Sequence, residues 1–297
     1  MSLMRGISAP QLTPFTADGR VDPERYALLS QKLSDAGLTG IFVCGTTGEF
    51  VNLTMAERKE LLKAARAGAG SKTRLMYNVT ALNLEDLRSL IEWAKANGAD
   101  CLSVTPPFYH GYDAAALTAY FRTVAHMAEG MPVYLYNIPG MVKNVITPAV
   151  LKSVCDACEN VRGLKDSSMD YQTFLEFQLA VGDDEDFELI TGNDAQVLTA
   201  LEGGGAGGVI AMASVFPELC QSIYDLWASG RKDEAKKAQT TVMQLRSLVR
   251  RVMPIMAHKE VLRLTGFEMG PARFPLRELT PAEKDEVRRT LSALQLI

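Results

Sequence analysis

The feature that most constrains this chain is an alternation, sustained from one end to the other, of short β-prone runs with longer helical patterns. Parallel strands need crossover helices to bring the chain back to the same edge, so this alternation predicts a parallel α/β architecture. Eight runs stand out: Gly6 to Thr13, Gly40 to Cys44, Arg74 to Val79, Cys101 to Thr105, Val133 to Ile138, Val161 to Lys165, Phe187 to Thr191 and Gly208 to Ala211. Each is followed by a helical stretch, and the runs are apolar on both faces. Units of such regular length predict a closed (β/α)8 TIM barrel, with an open doubly wound sheet as the runner-up. The 297 residues, 47% of them hydrophobic, suffice for one large core.

Helix starts can be read at Asp22 before Pro23 and at Thr54, with Glu57 three residues on; Gly37, Gly98 and Gly130 sit where helices should stop. Beyond the eighth run, further helical patterns at Pro217 to Leu264 and Pro281 to Leu296 predict a C-terminal helical extension. The organisation expected is a barrel over 1–215 with helices of 216–297 packed on it as one structural unit.

Charge narrows the partners. A net charge of -4 from 31 basic and 35 acidic residues, with no basic block, argues against nucleic acid. No apolar run approaches membrane-spanning length and no signal-like segment opens the chain, so a cytoplasmic protein without membrane contact is expected. The cysteines Cys44, Cys101, Cys155, Cys158 and Cys220 are odd in number and irregular in spacing, which fits a reducing compartment. Cys155 and Cys158 form a C-x-x-C inside a stretch, Leu151 to Glu159, that reads as helix, with neither a second pair nor a nearby histidine; two ordinary cysteines are expected there. Gly203 to Gly208 satisfies G-x-G-x-x-G but precedes a strand, the reverse of the order a dinucleotide site needs. The three histidines, His110, His126 and His258, are not at metal-ligand spacing, so no metal is expected.

Chemistry in such a barrel sits at the C-terminal strand ends. There, in Gly163-Leu164-Lys165-Asp166-Ser167-Ser168, a lysine ends an otherwise apolar strand. Gly163 shares its face, which predicts free space beside the lysine stem. Two readings stand open. Loss of hydration favours the neutral amine, a nucleophile for carbonyl carbon; alternatively Lys165 is structural, paired with Asp166 or an acid across the barrel. The preceding strand ends in Tyr136, about 4.8 Å away in the sheet and able to relay protons, or else an ordinary core tyrosine. The loop Cys44-Gly45-Thr46-Thr47-Gly48-Glu49 offers hydroxyls and N–H groups suited to a carboxylate, or is a plain turn.

Together these segments resemble the N-acetylneuraminate lyase and dihydrodipicolinate synthase superfamily of class I, pyruvate-dependent aldolases. The resemblance runs through Gly45 to Glu49, Val104 to Tyr109, Tyr136 to Pro139, Gly163 to Ser168, Gly192 to Asp194, Gly203 to Ile210 and Gly266 to Leu276. It implies that Lys165 forms a Schiff base with pyruvate and that Tyr136 shuttles protons. Thr46, Thr47 and Gly48 would hold the pyruvate carboxylate, with the Thr47 hydroxyl joining Tyr136 in a relay. Tyr109 would serve a neighbouring subunit's site in a dimer or tetramer, and Ile210 and the backbone at Gly192 would frame the pocket. No cofactor is implied, because the protonated imine is itself the electron sink.

The sequence also departs from the family. Many synthases carry an arginine two residues after the Tyr-Asn-x-Pro segment; here that place holds Met141, whose thioether cannot replace a bidentate guanidinium. Lys-Asp-Ser-Ser is closer to sugar-acid aldolases and lyases, and Met169 replaces the glycine common after those serines. The expectation is therefore an aldolase or lyase that joins or splits pyruvate and an aldehyde, on a 2-keto-3-deoxy sugar acid or an N-acetylneuraminate type of substrate. The alternatives are 4-hydroxy-tetrahydrodipicolinate synthase, acting on pyruvate and aspartate semialdehyde, a hydratase or dehydratase variant, and, in a different class, a pyruvate-binding regulatory protein without turnover.

Overall fold

A computed structural model describes residues 2–182, 184 and 186–297. In chain order the elements are β1 (Gly6–Pro10), α1 (Pro23–Asp35), β2 (Gly40–Val43), α2 (Met55–Gly68), β3 (Arg74–Asn78), α3 (Leu84–Ala96), β4 (Cys101–Val104), α4 (Ala114–Met127), β5 (Val133–Asn137), α5 (Pro139–Val142) and α6 (Pro148–Cys155). They continue with β6 (Val161–Asp166), α7 (Tyr171–Val181), β7 (Glu188–Thr191), α8 (Val197–Glu202), β8 (Gly207–Val209), α9 (Pro217–Ala228), α10 (Lys232–Val249), α11 (Pro254–Leu264) and α12 (Pro281–Ala293). The strands pair in parallel in sequence order, and β8 closes on β1. This is the (β/α)8 barrel that the alternation predicts, with a helical extension at its C-terminus.

Local chemistry sets the element ends. Asp22 caps α1 through Arg25 N–H at 3.0 Å, and Thr54 with Glu57 forms the full capping box of α2. The predicted first strand overruns: the ladder ends at Pro10, and Gln11 N–H makes its last bond, to Phe42 O at 3.1 Å. The eighth strand begins one residue early, at Gly207, and ends at Val209 before a 3₁₀ turn over Ala211–Ser214. The C-x-x-C is not contained in one helix, since Cys155 ends α6 and Cys158 lies in the turn after it.

Two apolar clusters hold the fold. The larger fills the space between barrel and helices, with Ile7, Ile41, Leu75, Leu135 and Leu164 from the strands all buried. The smaller fills the barrel itself, where Phe42, Met76, Tyr134, Tyr136 and Ile190 meet. Alternate residues of each strand thus feed different cores, which is why both faces read as apolar. Of the helices over 216–297, α9 packs on α8, β1 and the turn after β8, α10 runs along α9, and α12 lies against α10 and α11. No helix among the described residues is long and apolar enough to cross a membrane.

One irregularity decides the active end. Val133 pairs with Val161 but Tyr134 pairs with Gly163, leaving Arg162 as an extra residue in β6. From there on Tyr136 lies directly beside Lys165.

Candidate active site

Lys165 sits one residue before the C-terminal end of β6, 3% exposed, with Tyr136 as its in-register neighbour on β5. Its Nζ lies 4.1 Å from the centroid of the Tyr136 ring and 4.6 Å from that of Phe42. Aromatic faces hold an ammonium without supplying a counter-charge. Burial pushes the Lys165 amine below its ordinary range, against the opposing pull of the Tyr136 hydroxyl and of the Asp194 carboxylate.

The structural alternative for Lys165 required a carboxylate partner. Asp166 points to the other face of the strand, where its Oδ1 accepts from Asn137 Nδ2 and its Oδ2 from Ser168 Oγ, both at 2.7 Å. Among the described residues no carboxylate lies within ion-pair distance of Lys165.

The loop after β2 brings one hydroxyl to this pair. Thr46 Oγ1 and the Tyr136 hydroxyl are 3.3 Å apart, and either can donate. The structure thus brings Thr46, rather than Thr47, within hydrogen-bonding distance of Tyr136. The left-handed backbone at Cys44 and Glu49 sets the curl of the loop, and Thr47 lies instead along a neighbouring cavity with Ala211, Met253 and His258. The Gly48 carbonyl accepts from Thr13 Oγ1 at 2.7 Å, which ties the loop to the segment after β1.

Gly192 follows β7 beside the lysine stem. A Cβ there would come within 1.9 Å of Ser167 Oγ and 3.0 Å of Lys165 Cε, so the lysine needs this position bare. Gly192→Ala is expected to destabilise the protein by about 1–3 kcal/mol and to slow imine formation, read by urea unfolding and by borohydride trapping; an unchanged trapping rate would show that the lysine does not depend on this space. The space expected beside Lys165 at Gly163 serves another group. A Cβ at Gly163 would meet the Tyr134 ring at 2.4 Å, so it is Tyr134 that fills it.

Ile210 is fully buried just after β8, its N–H donating to Ser8 O at 3.2 Å. Met141, on α5, is 71% exposed and borders two apolar cavities of about 220 and 310 Å3 that share Thr46. Tyr109 does not meet the other site residues of its own chain. It is 83% exposed at a left-handed position, on a loop staked by Asn144 Nδ2 to Pro107 O at 2.6 Å and His110 O at 2.8 Å.

Two participants escape the sequence reading. Phe42, edge-on to Tyr136 at 5.8 Å, floors the lysine; its alternation with Val43 in β2 was the available signal. Asp194 is buried after β7, where its Oδ1 accepts from Met212 N–H at 2.7 Å. Burial pushes its carboxyl up, and its charge is felt by both Lys165 and His258. Burial also pushes the Cys155 thiol up to about 12, the opposite of what a redox C-x-x-C uses. Among the described residues no cluster of three or more His, Cys, Asp or Glu side chains is arranged to hold a metal ion.

A buried amine of weakened basicity, a phenol beside it and a hydroxyl in reach of the phenol can add to a carbonyl and move the protons that the addition releases. The family model described as the dihydrodipicolinate synthetase family matches residues 3–294. A 4-hydroxy-tetrahydrodipicolinate synthase of Prochlorococcus marinus is 34% identical over 96% of this chain and 94% of its own. A DapA-like lyase of Halobacterium salinarum is 32% identical over 99% of this chain and 95% of its own. Among solved structures, YagE of E. coli K12, a prophage protein of the dihydrodipicolinic acid synthase family in complex with pyruvate, superposes with a TM-score of 0.95 at 28% identity over 100% of both chains.

Proposed function

Because this chain belongs to the dihydrodipicolinate synthetase family of lyases, we propose that it is a Schiff-base-forming aldolase or lyase that cleaves or forms a carbon–carbon bond between pyruvate and an aldehyde. The observation that carries the reading is Lys165 itself, a buried lysine without a carboxylate partner among the described residues, cushioned on two aromatic rings and set beside Tyr136.

In the cleavage direction the neutral amine of Lys165 adds to C2 of the 2-oxo acid. The carbinolamine loses its oxygen as water, with the proton supplied through Tyr136 and Thr46. The resulting iminium draws the electron pair of the C3–C4 bond as the C4 hydroxyl gives up its proton, releasing the aldehyde and leaving an enamine. Protonation at C3 and hydrolysis free pyruvate and the amine. No cofactor enters these steps. Thr46, whose hydroxyl is 3.3 Å from that of Tyr136, and its chain neighbours Thr47 and Gly48 are the groups we assign to the pyruvate carboxylate, and Gly192, beside the Lys165 stem, and Ile210 are those we assign to the frame of the pocket.

For the second substrate we favour a 2-keto-3-deoxy sugar acid or a related compound, because Met141 puts a thioether at the cavity edge where the synthases carry an arginine. The similarity to a 4-hydroxy-tetrahydrodipicolinate synthase keeps aspartate semialdehyde as the second reading. The outward hold on Tyr109 supports a homo-oligomer in which this ring completes a neighbour's site.

The test is to incubate the protein with pyruvate and borohydride and to map the adduct by peptide mass spectrometry. A reduced pyruvyl group on the peptide carrying Lys165 is expected. No adduct, or an adduct elsewhere, would sink the mechanism. An adduct without turnover of any aldehyde in a panel of sugar-acid precursors and aspartate semialdehyde would point to the regulatory binder instead.

A further inference from the structure

Of the three histidines only His258 is buried, and no step above uses it. It stands one turn into α11, where its Nδ1 lies 2.6 Å from the carbonyl oxygen of Pro254, four residues earlier. A carbonyl only accepts, so Nδ1 carries the ring proton and the lone pair of the neutral imidazole is on Nε2. Burial pushes the imidazolium below its ordinary range, against the pull of the Pro254 carbonyl and the Asp194 carboxylate, which favours that neutral ring. Nε2 is buried and has no hydrogen-bond partner among the described residues. A buried acceptor without a donor costs free energy, and a ligand hydroxyl that reaches it removes the cost.

The cavity beside the ring defines that ligand. His258 lines the space of about 310 Å3 that also takes in Thr46, Thr47 and Met141, and the neighbouring space of about 220 Å3 shares Thr46 and Met141 with it. Thr46 is the residue whose hydroxyl meets that of Tyr136, so the cavity reaches the reacting end of the site. With Nδ1 turned back onto its own helix, Nε2 is the far atom of a ring that forms part of this wall. Among the described residues lining either space there is no aspartate, glutamate, lysine or arginine, and a charged group lodged there would lie unpaired. The Thr105 hydroxyl is engaged by the Pro106 carbonyl at 2.9 Å, and Thr46 and Thr47 are assigned to pyruvate. His258 is the polar group left for the rest of the substrate.

We propose that His258 determines specificity for the aldehyde half of the substrate, its Nε2 accepting a hydrogen bond from a hydroxyl of an uncharged hydroxyaldehyde held in this cavity. This rests on the aldolase reading and narrows it, since the aldehyde half of a 2-keto-3-deoxy sugar acid is of that kind. A wall that offers an imidazole lone pair and no guanidinium suits a hydroxyl and leaves a carboxylate without a partner. Such a site rejects the analogue that lacks the hydroxyl, because the acceptor then stays buried and unpaired.

The test measures kcat/KM for the addition of pyruvate to glyceraldehyde and to propanal, which share a carbon count and differ in their hydroxyls, with borohydride trapping of pyruvate on Lys165 run alongside. Wild-type protein is expected to favour glyceraldehyde by at least about tenfold. His258→Leu is expected to lower the ratio of the two by about tenfold, and His258→Gln, whose amide oxygen reaches the place of Nε2, to restore most of it. Comparing one ratio across variants cancels the intrinsic reactivities of the aldehydes. Equal efficiency with both aldehydes in the wild type would overturn the assignment whether or not the leucine variant folds. So would a ratio that His258→Leu leaves unmoved because both rates fall together, and either result leaves the lysine chemistry intact. Trapping without turnover of either aldehyde would overturn the aldolase reading and this assignment together, and failure of pyruvate itself to trap would overturn the Schiff base as well.

Discussion

Lys165→Met is expected to eliminate the pyruvate adduct, to lower turnover by at least about 10⁴-fold, and at the same time to make the protein more stable. The two effects have one cause. Burial disfavours the ammonium, so folding must either desolvate a charge or release its proton. A group whose folded pKa lies below its unfolded value binds more protons when the chain is unfolded, and stability then rises with pH between the two values. The wild type therefore carries its full penalty below the folded pKa of Lys165 and loses it as pH climbs from there toward about 10.4, the ordinary lysine range. Urea unfolding should show the variant ahead at pH 7 and the gap closing toward pH 10; a gap that widens with pH would mean that Lys165 is stabilised as a cation. Tyr136→Phe provides the contrast within the same site. It keeps the ring under the ammonium and removes only the hydroxyl that Thr46 reaches, so trapping should persist, more slowly, while kcat falls by about 10²–10⁴-fold.

That pair also marks how far the sequence could be read. Consecutive strands in a barrel are neighbours, so Tyr136 and Lys165 could be placed side by side from order alone. Their register could not. An unbroken ladder from Val133 and Val161 would set Lys165 opposite Asn137 and turn Tyr136 toward the helices; the extra residue at Arg162 puts phenol and amine on one face. Bulges leave little trace in composition. The eight strands were legible because each is buried on both faces, and their ends were less so because ladders stop at particular hydrogen bonds, as at Pro10. Choosing between Thr46 and Thr47 needed the backbone of the loop, which turns through left-handed residues that are not glycine, Cys44 and Glu49. Asp194 and the groups its charge acts on, Lys165 and His258, come from distant parts of the chain and approach one another only in the folded barrel.

Lys259→Met is expected to cost about 3–5 kcal/mol of stability, because it strands a buried carboxylate. Lys259 on α11 and Glu49 at the end of the threonine loop are 3% and 0% exposed, with Nζ and Oε1 2.6 Å apart. The two groups are poorly aligned for a hydrogen bond, and among the described residues neither carboxylate oxygen has another partner, so the pair leans mainly on Coulomb attraction. Burial pushes the Lys259 amine down while Glu49 pulls it up, and the Phe15 ring lies against the ammonium at 4.4 Å. Replacing both partners, as in Glu49→Gln/Lys259→Met, should recover most of the loss, since burying two neutral groups removes the stranded charge. The pair also does something for the site. Glu49 N–H donates to Thr46 O at 3.1 Å, so an anchor between α11 and Glu49 fixes the residue whose hydroxyl meets Tyr136. Should the double variant regain its urea midpoint yet keep a reduced kcat, the C-terminal extension would be shown to position Thr46 as well as to stabilise the barrel; equal recovery of both would confine Lys259 to stability.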